Sequence, residues 1–145
     1  AAFERLATSD CPILVPLHPR THKALDRTGL LEPDNPCLHL ISPLGYLDFV
    51  ALETGAKVIL TDSGGVQKEA CFSGVPCITL RDETEWGETV RDGWNVLAGA
   101  DGDQIEKAFR RAMEWKPEEA TDLYGKGNAA RLIVDVLMTG TGRAG

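Results

Sequence analysis

The chain lacks the signatures that most often mark a nucleotide or hydrolase site. It has no Gly-Lys-Ser/Thr of a P-loop, no strand-to-helix G-x-G-x-x-G fingerprint and no G-x-S-x-G nucleophile elbow. A Walker-type NTPase, an ordinary NAD site and a serine hydrolase are therefore unsupported. Basic residues are scarce, 15 Lys and Arg against 22 Asp and Glu, for a formal charge of −7. That balance argues against a nucleic-acid binder, which needs a basic surface to displace counterions. It leaves room for one phosphate pocket, which needs only local donors. Cys11, Cys37, Cys71 and Cys77 form no C-x-x-C pair and no zinc-like spacing with histidine, so no metal is expected and the four thiols are expected to be reduced. No apolar run approaches a membrane span and no signal segment opens the chain; a soluble, cytoplasmic protein with no membrane partner is the expectation.

What is present is ordinary globular material of 145 residues, 43% hydrophobic and 26% charged, enough for one domain with a sizeable core. Short apolar runs alternate with amphipathic stretches, which predicts an α/β fold with a parallel sheet flanked by helices. The strands are expected at Ile13–Leu17, Leu38–Ile41, Val58–Leu60, Pro76–Leu80 and, at an edge, Asn95–Leu97. Helices are expected over Ala1–Ala7, Thr21–Thr28, Tyr46–Thr54, Gly65–Phe72, Glu85–Arg91, Gln104–Trp115 and Ala129–Met138. Asp101-Gly102-Asp103 reads as the cap of the sixth, and residues 139–145 as a flexible tail after a domain spanning 1–138.

The most informative stretch is Leu60-Thr61-Asp62-Ser63-Gly64-Gly65-Val66-Gln67-Lys68-Glu69-Ala70. A buried strand ends in a tight turn that opens a helix, where backbone N–H groups and the helix dipole favour an anion. Read alone, it is equally an ordinary capped helix, with Ser63 as cap and the glycines as turn formers. Glu69 follows on the first turns, on a side that can accept from ribose hydroxyls.

In an open α/β sheet, ligands bind beyond the carboxyl ends of the strands. His18, Ser42 to Gly45, Asp62 to Gly65 and Arg81 to Thr84 all follow predicted strands, so they are expected at one sheet edge. By itself His18 reads as a loop histidine bonded to nearby backbone. Phe49, one turn after Tyr46, could stack on a planar base, while Leu47 and Val50 are expected on the buried face of that helix. Thr84 and Glu85 read either as caps of the following helix or as part of a loop over a ligand.

Five ordered segments give these features a specific form. Pro16-Leu17-His18-Pro19-Arg20, Ile41-Ser42-Pro43-Leu44-Gly45-Tyr46-Leu47-Asp48-Phe49, Thr61 to Ala70, Leu80-Arg81-Asp82-Glu83-Thr84-Glu85 and Tyr124-Gly125-Lys126-Gly127-Asn128-Ala129-Ala130 occur in the order of one family. The chain resembles the C-terminal half of the non-hydrolysing UDP-N-acetylglucosamine 2-epimerases. The resemblance implies a Rossmann-like half of a GT-B two-domain fold that acts on a UDP-sugar without a cofactor. It implies a catalytic role for His18, with Arg20, Phe49, Ser63, Gly64, Gly65, Glu69, Arg81, Thr84 and Glu85 binding UDP; Phe49 would line the uracil pocket. Many members have Arg where this chain has Trp86, and the Thr84-Glu85-Trp86 form resembles a subset that includes enzymes acting on UDP-linked diacetamido uronic acids.

The family pattern opens with a strand carrying His-Arg-x-Glu-Asn and a whole N-terminal domain, neither of which is in this sequence. An incomplete chain, inactive alone, whose missing domain brings the catalytic carboxylates, is the resulting expectation, with a homodimer as a possible assembly. The alternatives are the nucleotide-sugar half of a GT-B glycosyltransferase and a non-catalytic UDP-sugar-sensing module.

Overall fold

A computed structural model describes residues 2–115, 123–125 and 127–140. The elements run α1 (Ala2–Leu6), β1 (Ile13–Pro16), α2 (Pro19–Thr28), β2 (Leu38–Ile41), α3 (Tyr46–Gly55), β3 (Ile59–Thr61), α4 (Gly64–Phe72), β4 (Cys77–Thr79), α5 (Gly87–Arg91), β5 (Asn95–Leu97), α6 (Gly102–Glu114) and α7 (Ala129–Thr139). All strand pairs are parallel, and β5 is an edge strand, as its sequence suggested. The strands form two ladders, β1-β2 and β3-β4-β5, and β1 and β3 share no ladder bonds. Between them runs a groove of about 690 Å³, floored by Phe3, Phe109 and the side chains of β1 and β3.

The centre of the core follows from the two-residue period of β4. Ile78, fully buried, faces α1 and α6 and packs with Leu6, Ile105, Ala108 and Phe109. Cys77 points the other way, into a cluster with Ile59, Ala70 and Val75 under α4. Thr79 is buried as completely but polar. A strand covered on both faces by helices is what an all-parallel ladder requires. Further out, Arg5 of α1 is tied to Glu106 of α6 by an ion pair.

Several boundaries differ from expectation for local reasons. Helix α2 starts at Pro19 instead of Thr21, because proline fits the first helical turn and His18 supplies the cap. Gly29 ends α2 in the left-handed conformation, φ 69°. Helix α5 starts at Gly87 instead of Glu85, because Glu85 is engaged by Arg81. Leu47 was expected to be buried; it is 80% exposed, since α3 turns Phe49 and Glu53 inward instead. The last helix runs through Thr139, and residues 141–145 of the expected tail lie outside the described residues. Asp101 caps α6 as foreseen, accepting from the backbone N–H of Asp103 and Gln104 at 3.0 and 2.9 Å. Asp101→Ala should therefore cost about 1 kcal/mol in a denaturant titration, and Asp101→Asn much less.

Candidate functional site

Strand β3 ends at Thr61 and the chain turns at once into α4. Thr61 Oγ1 accepts from the Ser63 N–H at 3.0 Å, which fixes the turn. Ser63 occupies the N-cap position, yet its hydroxyl makes no capping bond. The first intrahelical bond of α4 is Gln67 N–H to Ser63 carbonyl, so the N–H groups of Gly64, Gly65 and Val66 have no partner inside the helix. The result is a nine-residue helix whose uncapped positive end is fronted by a hydroxyl.

The loop after β4 closes against this turn. A Cβ on Gly64 would lie 3.3 Å from Trp86 Nε1 and 3.5 Å from Glu85 Oε2, so glycine is what admits the loop. Arg81 donates two hydrogen bonds to the Glu85 carboxylate, at 3.0 and 3.3 Å. The guanidinium holds the Glu85 carboxyl below the usual carboxylate range. Arg81 and Glu85 thus meet each other first, at the positive end of α4.

Beneath the loop lies a polar network that the sequence did not reveal. Thr84 Oγ1 donates to Gln67 Oε1 at 2.5 Å, and Asn95 Nδ2 donates to the same oxygen at 3.1 Å. Thr79 Oγ1 donates to Asn95 Oδ1 at 2.8 Å, and Thr89 Oγ1 to the Trp86 carbonyl at 2.7 Å. Gln67, Thr79, Thr89 and Asn95 are all fully or almost fully buried. These side chains join α4, β4, α5 and β5, and they hang the loop from α4. Thr84 therefore does not cap α5 in the expected way; its oxygen accepts the Trp86 N–H at 3.1 Å while its hydroxyl ties to Gln67.

His18 and Phe49 line the groove between β1 and β3 at the strands' carboxyl ends, with Thr61, Asp62, Glu53 and Val66. His18 Nδ1 accepts from the Arg20 N–H at 3.2 Å and caps α2. With Nδ1 engaged as acceptor, the ring carries its proton at Nε2, a donor for the groove. Arg20 sits exposed on the first turn of α2. Glu69 follows on α4; burial first, and the charge of Glu69 second, push the Glu53 carboxyl of α3 up to about 7.

Trp86 has acquired a cation. Lys68 Nζ lies 4.2 Å from the Trp86 ring centroid and 4.9 Å from that of Tyr124, within cation–π range. Tyr124 packs edge-on against Phe72 and Trp86 and donates to Glu88 Oε1 at 2.9 Å. Nothing in the local sequence around Lys68 announces this contact. Among the described residues, no cluster of three or more His, Cys, Asp or Glu side chains could hold a metal.

The sequence profile of the UDP-N-acetylglucosamine 2-epimerases matches residues 1–138. The chain belongs to this family. A UDP-N-acetylglucosamine 2-epimerase homolog of Methanococcus maripaludis is 51% identical over 131 residues, covering 86% of this chain and 35% of that protein. The UDP-2,3-diacetamido-2,3-dideoxy-D-glucuronate 2-epimerase of Pseudomonas aeruginosa is 42% identical, over 94% of this chain and 37% of its own length. Among solved structures, the UDP-GlcNAc 2-epimerase of Methanocaldococcus jannaschii in complex with UDP-GlcNAc and UDP is 43% identical with a TM-score of 0.77, over 89% of this chain and 36% of that one. The Rossmann-like α/β architecture is thus that of the GT-B epimerases. The chain spans about a third of the length of these relatives.

Proposed function

We propose that this chain is the UDP-binding, C-terminal part (residues 1–138) of a UDP-sugar 2-epimerase. The observation that carries the reading is the uncapped end of α4 at Ser63, Gly64 and Gly65, opening beside a groove that holds His18 and Phe49. Three consecutive N–H groups and a free hydroxyl suit a diphosphate. Phe49 offers a face to uracil, and Glu69 offers acceptors to ribose. Arg81, Thr84 and Glu85 form the loop over the diphosphate, where Arg81 would exchange its Glu85 partner for phosphate oxygens; Arg20 adds a cation beside His18.

In the reaction, a base removes the C2 proton of a UDP-linked 2-acetamido sugar as the C1–O bond to UDP breaks, leaving a glycal. UDP then adds back at C1 while a proton reaches the opposite face of C2. His18, with Nε2–H presented to the groove, works beside the departing diphosphate oxygen. The base comes from the rest of the enzyme. Free thiols at Cys11, Cys37 and Cys77 suit the cytoplasm, where UDP-sugars for cell-surface polysaccharides are made.

The test uses the full-length protein with UDP-N-acetylglucosamine in deuterated water and no acceptor. Deuterium at C2 of both epimers is the expected result; binding without exchange would favour a glycosyltransferase or a sensing module. A parallel incubation with the UDP-linked diacetamido uronic acid decides the sugar. Glu69→Ala should weaken UDP by roughly tenfold, about 1.4 kcal/mol, and leave inorganic diphosphate unchanged, since diphosphate has no ribose.

A further inference from the structure

Lys68 of α4 is a half-buried cation, and among the described residues no carboxylate pairs with it. Its Nζ is held by two aromatic rings instead, 4.2 Å from the centroid of Trp86 and 4.9 Å from that of Tyr124. A cation over a ring is attracted by the ring quadrupole, more strongly where water is partly excluded. Tyr124 is fixed in turn: its ring meets Phe72 edge-on, and its hydroxyl donates to Glu88 of α5 at 2.9 Å. Residues four apart share a helix face, so one face of α4 carries Gly64 at its open end, then Lys68, then Phe72. Trp86 lies along that face. Its backbone is pinned, the N–H by Thr84 Oγ1 and the carbonyl by Thr89 Oγ1. Its ring is not, because Nε1 sits buried beside Gly64 without a hydrogen-bond partner. The indole is therefore held in place by the stack with Lys68 and Tyr124.

We propose that Lys68 is a positioning residue for the diphosphate loop: stacked on Trp86 and Tyr124, it holds the indole against Gly64 and keeps the loop over the open end of α4. This rests on the diphosphate binding at Ser63, Gly64 and Gly65. Lys68 acts through Trp86 and touches no ligand itself. The Thr84–Gln67 bond suspends the loop from one side, and the Lys68 stack fastens it from the other. A ligand that needs the loop in place binds with an apparent affinity lowered by the fraction of molecules in which it is displaced. Loss of the ammonium raises that fraction.

The experiment titrates inorganic diphosphate into the full-length protein, followed by calorimetry and by the NMR signals of the indole N–H and backbone amide groups. Lys68→Met should bind diphosphate about fivefold more weakly than wild type. Its Trp86 indole signal, assigned by its loss in Trp86→Phe, should move, while those of the Trp94–Trp115 pair stay in place as the sign of an intact fold. Lys68→Arg, whose guanidinium also stacks on aromatic faces, should restore binding to within about twofold. Tyr124→Leu leaves the Lys68 charge and removes one ring of the stack, and should weaken diphosphate about threefold. Diphosphate bound by Lys68→Met as tightly as by wild type would overturn the proposal. So would a weakened Lys68→Met beside a Tyr124→Leu of wild-type affinity, because Lys68 would then act by its charge alone. If diphosphate shifts no backbone amide of Ser63, Gly64 or Gly65 in the wild-type protein, the binding site itself is misplaced, and the proposal fails with it.

Discussion

His18→Ala in the full-length enzyme is expected to lower kcat by about 10²–10⁴, the range for losing a positioned proton donor, while UDP affinity changes less than tenfold. The imidazole has two separate tasks. Nδ1 accepts the Arg20 N–H and caps α2, and this cap is worth about 1 kcal/mol of stability. His18 lines the groove, and its Nε2–H would stabilise charge on the leaving diphosphate, an interaction that grows only as the C1–O bond breaks. His18→Asn separates the two, because the Asn side-chain oxygen can still cap but places no donor as far as Nε2. The Asn variant should therefore regain the stability lost in Ala and stay slow. Near-normal turnover by the Asn variant would reduce His18 to a helix cap.

Asn95→Leu should destabilise the protein by about 3–5 kcal/mol, a fall in Tm of roughly 10 °C or more. Asn95 is 2% exposed and joins Thr79, Gln67 and Thr89. Leucine nearly fills the volume, but it strands the Thr79 hydroxyl and takes one donor from Gln67 Oε1, and each buried orphan costs about 1–3 kcal/mol. Because Thr84 hangs from the same Gln67 oxygen, UDP affinity should fall in the fraction that remains folded. Thr54→Ala is the control: its hydroxyl bonds only its own helix, to the Val50 and Ala51 carbonyls, and a change within about 0.5 kcal/mol is expected. Chemical denaturation monitored by fluorescence distinguishes the two. An Asn95→Leu protein within 1 kcal/mol of wild type would mean that the network is not what holds the loop.

Both effects stem from residues that the sequence treated unequally. His18 was legible because it follows a short apolar run, precedes a proline and falls within a family segment. The same local logic located Ser63-Gly64-Gly65, the Asp101 cap and the strand at Cys77–Thr79: each is a matter of chain-neighbour chemistry, apolar runs, turn formers and orphan N–H groups. Gln67, Thr79, Thr89 and Asn95 left no such trace. A threonine in a strand and an asparagine before Val96 look like surface positions until four elements fold over them.

The sequence by itself determined the α/β class, the parallel strands and the placing of His18, Ser42 to Gly45, Asp62 to Gly65 and Arg81 to Thr84 after strand ends, because period and turn chemistry act between residues close in the chain. Tertiary structure alone decided which side of α3 is inside. The apolar residues of Tyr46–Gly55 point in every direction, so periodicity could not choose, and packing against α4 exposed Leu47 and buried Glu53. It likewise decided that Lys68 of α4 lies over Trp86. Charge pairing and burial depend on which elements meet across the fold, and that meeting is fixed by the packed core as a whole.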